Sequence, residues 1–299
     1  MSEIILHEVG PRDGLQVEKQ VVPTEVKLGW IRGLIAAGVD IVQVGSFVRA
    51  DKVPQMADTD ELFRKLLAEK PAHTVLSALV LNEKGLERAV EVGVEMICMG
   101  VSASETHSRK NTGMGSLEAQ RRIIAMGRQA REAGKKVQVD VQSAFGCGFE
   151  GRIPEERVLE IVQAYLDAGF DHVSLADTAG HAYPAQVKRL FGEIFRRAPA
   201  THCTCHFHDN FGLGIANIYT AREAGVTTFE TSFAGLGGCP FTKEAAGNVA
   251  TEDLVHALQR AGERKDVELG KLIQVARSVA AFFAREMTGR VQKIGALSY

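Results

Sequence analysis

Two rhythms of apolar and polar positions alternate along this chain of 299 residues. At 25–37, 58–68, 117–133, 154–168, 184–197 and 213–224, apolar residues recur every three or four positions, the spacing that gathers them on one helix face. Helical segments close repeatedly on a small residue and a glycine: Ala37-Gly38, Val92-Gly93, Ala133-Gly134, Ala168-Gly169 and Ala224-Gly225. After each comes a short apolar run, at 39–44, 94–99, 136–141, 172–176 and 226–231. Glycine just past a helix serves as its left-handed cap, and an apolar run of that length reads as a strand buried on both faces. Runs at 4–9, 74–80 and 201–208 complete eight strands in order. Eight βα units of this size predict an α/β fold, a closed (β/α)8 barrel of the TIM type. An open doubly wound sheet is the alternative, but no Gly-x-Gly-x-x-Gly follows the first strand. No Pro/Ser-rich linker divides residues 1–299, so the expectation is one barrel domain. A helix-rich C-terminal segment from about residue 251 would cover the barrel's bottom or side.

Composition narrows the function without naming it. A hydrophobic fraction of 45% supports a large core, and a net charge of −2 with scattered Lys and Arg speaks against a nucleic-acid partner. The longest apolar runs are strand-length, short of the roughly 20 residues that cross a membrane. The start, Met-Ser-Glu-Ile-Ile-Leu, has no basic n-region or long apolar core of a signal peptide. Five cysteines without a regular framework suit a reducing cytosol, so a cytoplasmic location is expected.

In such barrels the chemistry sits at the C-terminal ends of the strands. The seventh strand ends in Cys205-His206-Phe207-His208-Asp209. Residues two apart share a face, so His206 and His208 present two imidazoles together, either as metal ligands or as satisfied strand-end histidines. Cys203 and Cys205 alternate with them, and a zinc knuckle would need a second cysteine pair at matching spacing. The first strand leads into Gly10-Pro11-Arg12-Asp13-Gly14-Leu15-Gln16, which offers a cation and a carboxylate, or simply a turn. After the eighth strand comes Gly235-Leu236-Gly237-Gly238-Cys239-Pro240-Phe241, then Gly247-Asn248-Val249-Ala250-Thr251-Glu252-Asp253. Glycine density like this lets backbone approach a ligand or lets a loop move over a site. Asn248 offers an amide oxygen or a helix N-cap. One carboxylate, two imidazoles and one amide oxygen make a mixed set suited to Mg²⁺ or Mn²⁺ with positions left for substrate oxygens.

These motifs resemble 3-hydroxy-3-methylglutaryl-CoA lyase, of the metal-dependent TIM-barrel lyase and Claisen-condensing superfamily. The likeness extends over nearly the whole chain, taking in Ser46-Phe47-Val48, Val53-Pro54-Gln55-Met56, Ser102-Ala103-Ser104-Glu105 and Asp177-Thr178. It implies a divalent metal held by Asp13, His206, His208 and Asn248. It also implies that Arg12 meets the thioester oxygen that becomes an enolate, where a fixed guanidinium stabilises charge present only in the transition state. Asp13, or a water with His206, would take the hydroxyl proton, and Cys239 would give or relay a proton to the nascent carbanion. Gln16, Lys19, Ser102, Ser104, Lys110, Asn111 and Asp177 become candidate contacts to an acyl-CoA substrate. A homodimer is expected on the same ground.

Two places depart from that pattern. The lyase carries Glu before its Ser-Phe-Val where this chain has Gln43, and Arg on the fifth strand where this chain has Gln138. Asp140 stands two residues later, where an aromatic is expected. Loss of a matched charge pair strands neither partner, but a new carboxylate at Asp140 reshapes recognition of the acyl group. Hydroxymethylglutaryl-CoA is therefore weighed against citramalyl-CoA and bulkier 3-hydroxyacyl thioesters. The reverse, condensing direction, an aldolase acting on free keto acids and an inactive metal-binding barrel complete the alternatives.

Overall fold

The computed structural model describes residues 4–238 and 247–297. Eight parallel strands close on themselves in chain order. They are β1 (Ile5–Glu8), β2 (Ile41–Ser46), β3 (Val75–Leu79), β4 (Met96–Ser102), β5 (Lys136–Gln142), β6 (His172–Asp177), β7 (His202–Phe207) and β8 (Thr228–Thr231). β8 returns to β1 with Ile5 opposite Thr228 and Glu8 opposite Thr231. Every position of β2, β4 and β8 is buried, as strands covered by both axis and helices must be. The five glycines that end the helical segments all sit in the left-handed region, with φ between 75° and 112°.

The outer ring holds α1 (Thr24–Ala37), α2 (Thr59–Glu69), α3 (Glu83–Glu91), α5 (Ser116–Glu132), α6 (Glu155–Asp167), α7 (Pro184–Arg197), α8 (Gly214–Glu223) and α9 (Thr251–Arg260). One further helix, α4 (Glu105–Thr112), lies over the mouth between β4 and α5. It is strongly polar and buries only His107 and Ser108, so it carries no apolar stripe to announce it. The C-terminal segment is more than a side cover. α9 is the barrel's own eighth helix, and α10 (Leu269–Phe283) packs along α1, where Trp30 Nε1 donates to Ser278 Oγ at 2.7 Å. Arg264 reaches the bottom of β1, bonding the Ile4 carbonyl at 2.7 Å. The chain then comes back to the mouth: Thr288 Oγ1 donates to the Gly235 carbonyl at 3.0 Å, and Gly289 N–H to that of Ala234 at 3.0 Å. A last turn, α11 (Val291–Ile294), is pinned by Asp253, which accepts from Val291 N–H at 2.7 Å. No helix among the described residues is long and apolar enough to cross a membrane.

The barrel axis is polar. His7, Gln43, Ser77, Gln138, Thr204 and Glu230 are all buried, which costs free energy unless their groups are paired. Most pair with one another: His7 Nε2 with Ser77 Oγ at 2.8 Å, Thr204 Oγ1 donating to Gln138 Oε1 at 3.3 Å, and Gln138 Nε2 donating to Glu230 Oε1 at 2.7 Å. Apolar packing is left to the layer between strands and helices, which also takes Cys203 and Cys205. The two thiols therefore lie on the face of β7 opposite Thr204 and His206.

Candidate metal centre and active-site cavity

Arg12 and Asp13 owe their positions to a tight π-helical turn, Gly10–Gly14, that follows β1. The Val9 carbonyl accepts from the N–H groups of Arg12, Asp13 and Gly14 at 3.0, 2.7 and 3.4 Å. The turn fits against Glu8, whose Oε1 accepts from Gly10 N–H at 2.7 Å and Phe233 N–H at 3.0 Å. Asp13 Oδ1 accepts from Arg12 Nη1 at 2.7 Å and Gln16 Nε2 at 3.2 Å, leaving Oδ2 facing the barrel axis. Arg12 Nε also donates to Gln43 Oε1, which fixes the guanidinium against β2.

Opposite Asp13, the two histidines at the end of β7 are oriented from behind. His206 Nδ1 lies 2.9 Å from Glu230 Oε2, and His208 Nδ1 lies 3.1 Å from the Thr178 carbonyl. Both partners are acceptors, so each ring carries its proton on Nδ1 and turns an Nε2 lone pair inward. Those Nε2 atoms are 3.3 Å apart, and Asp13 Oδ2 is 3.9 Å from one and 3.8 Å from the other. Two lone pairs and a carboxylate oxygen so placed can share one positive charge, a proton or a metal ion.

Asn248 arrives on a short extended piece that wedges between the ends of β7 and β8. Val249 N–H donates to the Phe207 carbonyl at 3.2 Å, and Ser232 N–H to that of Val249 at 3.0 Å. Its Nδ2 donates to Asp13 Oδ2 at 2.9 Å, while its buried Oδ1 has no hydrogen-bond partner. Gly237 is required beside it: at φ 117°, a Cβ there would lie 2.5 Å from Asn248 Nδ2. Asp13, His206 and His208 offer ligand atoms within 4.8 Å of one another. With the orphaned Asn248 oxygen, the donor set fits a hard divalent ion, and both histidines have the outer partners that metal ligands need.

Electrostatics favour the same state. Burial alone would raise Asp13, but the Arg12 guanidinium beside it outweighs burial and holds the carboxyl below its usual range. Burial would likewise raise Glu230, yet the hydrogen bonds from His206 and Gln138 keep it ionised. Burial lowers His7 to about 4, so that ring is neutral.

A cavity of about 290 Å³ opens over this cluster, lined among others by Arg12, Asp13, Gln16, Asn111, Asp140, His206 and His208. Gln43 and Gln138 stand one layer behind it, buttressing Arg12 and Asp140. Other residues singled out by the sequence face elsewhere. Asp177 accepts from His181 and Ala182 N–H at 2.8 and 3.1 Å, bracing the loop after β6. Ser102 Oγ accepts from Ser104 N–H at 3.1 Å, and Ser104 caps α4 through His107 N–H at 3.1 Å. Lys110 holds its ammonium 3.9 Å above the Phe149 ring. Lys19 lines a neighbouring cavity of about 700 Å³ together with Gly238, Arg285 and Thr288. Cys239 lies outside the described residues. Glu230 and Ser174 also line the central cavity and were not anticipated. The signal for Glu230 was present, since Thr-Phe-Glu-Thr places a carboxylate inside a strand otherwise fit for burial.

The HMGL-like family model matches residues 3–279. This chain belongs to the HMGL-like family. As a member it is a lyase, and relatives align end to end. A hydroxymethylglutaryl-CoA lyase of Bacillus subtilis is 35% identical over 289 residues, covering 97% of this chain and 96% of its own. An (R)-citramalyl-CoA lyase of Chloroflexus aurantiacus is 34% identical, covering 99% and 96%. The solved HMG-CoA lyase of Acinetobacter baumannii, in complex with coenzyme A and 3-methylmalate, superposes with a TM-score of 0.93 at 34% identity, covering 99% and 96%.

Proposed function

We propose that this HMGL-like protein cleaves a 3-hydroxy-3-methylglutaryl-CoA-like thioester into acetyl-CoA and a keto acid, acetoacetate when the substrate is hydroxymethylglutaryl-CoA. What carries the reading is the meeting of Arg12 with Asp13, His206 and His208 at one cavity, with the Asn248 amide against Asp13, in a chain aligned end to end with such lyases. Asp13, His206, His208 and Asn248 would hold the divalent ion, magnesium or manganese. When bound, that ion supplies Lewis-acid charge that makes the substrate's tertiary hydroxyl more acidic.

The remaining work falls to side chains. Asp13, ionised against Arg12, or a water beside His206, which Glu230 backs, would receive the hydroxyl proton. Loss of that proton lets the C2–C3 bond break, giving a ketone on one side and the enolate of acetyl-CoA on the other. Arg12 is held by Gln43 and Asp13 before the substrate arrives, so its charge can meet the enolate oxygen without reorganising. Cys239 is our candidate for protonating the enolate carbon. Gln16 and Asn111, which line the cavity, are our candidates for contacts to the acyl-thioester portion, and Lys19, in the adjoining cavity, for a CoA phosphate.

The deciding assay is chromatographic detection of acetyl-CoA from hydroxymethylglutaryl-CoA with Mg²⁺ or Mn²⁺ present. The proposal expects release that chelation abolishes; absence of acetyl-CoA from every 3-hydroxyacyl thioester would overturn it. Citramalyl-CoA belongs in the same panel, because the Chloroflexus relative is named for it and Asp140 alters the acyl pocket. Cleavage of a free keto acid without CoA would instead favour the aldolase reading.

A further inference from the structure

Asp140 and Glu230 are two carboxylates tied to one amide. Gln138 Nε2 donates to Asp140 Oδ1 at 2.9 Å and to Glu230 Oε1 at 2.7 Å, while its own oxygen is taken by Thr204. Two negative charges sharing one amide inside a barrel repel strongly, and one of them is relieved by a proton. Glu230 has the better claim to the charge, with donors on both oxygens from Gln138 and His206. Asp140 has Gln138 on one oxygen, and its carboxyl lines the substrate cavity. The proton therefore resides on Asp140, and burial followed by the Glu230 charge pushes its acidity in that direction.

A second group points to the same spot. Ser174 on β6 is in register with Asp140, lines the same cavity, and has a buried Oγ with no hydrogen-bond partner. Among the described lining residues Arg12 is the one arginine or lysine, and Gln43 and Asp13 already engage it. Ser174 and, when protonated, Asp140 thus offer two O–H donors side by side in this cavity.

We propose that Asp140 is a specificity-determining residue which, as a neutral carboxylic acid, donates its O–H to the terminal carboxylate of the acyl chain, with Ser174 as the adjoining donor. The idea rests on the acyl-CoA reading above and deepens it. A buried acid held neutral so that it can donate is a workable device in an enzyme site. Asp140 in its ionised form would repel the same carboxylate, so selectivity for an acidic acyl chain falls as Asp140 loses its proton. The groups facing it are Glu230 on β8, Arg12 in the turn after β1, His206 on β7, Cys98 on β4 and Tyr165 on α6.

Calorimetry on the Mg²⁺-loaded full chain tests this with two thioesters that cannot be cleaved: 3-methylglutaryl-CoA, and 3-methylbutyryl-CoA, which lacks the terminal carboxylate. Wild type should prefer the first. Asp140→Ala should lose roughly 10- to 100-fold in affinity for it, the worth of a hydrogen bond to a charged group, and bind the second as before. Asp140→Asn keeps a neutral donor, so it should retain the preference and hold it at alkaline pH where wild type loses it. Equal loss in both variants, or an unchanged preference in Asp140→Ala, would overturn the proposal. These compounds report binding alone, so failure of the acetyl-CoA assay would be a separate result.

Discussion

Glu230 Oε2 stands 2.9 Å from His206 Nδ1, on the far side of the ring from the nitrogen that faces Asp13. This contact fixes the tautomer and orientation of a proposed ligand, and such outer partners matter nearly as much as the ligands themselves. Glu230→Gln should therefore weaken Mn²⁺ binding by roughly 10- to 100-fold while leaving the fold intact. Titration of chelator-stripped protein followed by electron paramagnetic resonance checks it. Unchanged Mn²⁺ affinity would reduce Glu230 to a packing role.

Arg12 is secured on two sides before any substrate arrives, by Asp13 at 2.7 Å and by Gln43. Its proposed service to the enolate is confined to the transition state, so its loss should appear in kcat more than in KM. Arg12→Lys keeps a charge but not the planar fork. Removing one well-placed oxyanion partner typically costs about 10²- to 10³-fold in kcat, and Arg12→Met should fall at least that far. Steady-state kinetics, with Tm measured alongside, separate this from misfolding. A pure KM effect would contradict the assignment.

Glu8 lies under the Arg12 turn, and burial pushes its carboxyl up to about 7. An acid raised on folding contributes its full stability below its unfolded value and loses that contribution as pH climbs through the folded one. Thr251 Oγ1 donates to Glu8 Oε2 at 2.6 Å; in Glu8→Gln the hydroxyl can turn to accept from the amide nitrogen, while the amide oxygen still accepts from Gly10 and Phe233 N–H. Between about pH 5 and pH 8 the wild-type Tm should drop relative to this variant by a few degrees. Thermal melts across that range decide it, and a constant gap would show that Glu8 does not titrate there.

Much of the barrel is readable from sequence because parallel strands are buried on both faces and become short apolar runs, five of the eight announced by a glycine cap. α4 escaped because a polar helix lying on the mouth needs no apolar stripe. The return of residues 288 and 289 to the mouth is equally silent, since it depends on single hydrogen bonds to Ala234 and Gly235. At the site, Arg12, Asp13, His206, His208 and Asn248 stand out because they interrupt glycine-rich or apolar stretches at strand ends. Glu230, Ser174 and the His7–Ser77 contact are different. Alternation says that such residues face the axis, but only the closure of β8 onto β1 and the register of β5 with β6 determine what they meet there. The same closure explains Gln138, which reads as a lost arginine in sequence and in space bridges two carboxylates.

Pulsed electron paramagnetic resonance of Mn²⁺ bound to the chelator-stripped chain addresses the metal centre most directly. The account predicts one tight Mn²⁺ per chain whose electron-spin-echo modulation carries coupling to two imidazole nitrogens, with half of that coupling lost in His208→Ala and tight binding lost in Asp13→Ala. A tightly bound Mn²⁺ without nitrogen coupling, or no tight site at all, would contradict it.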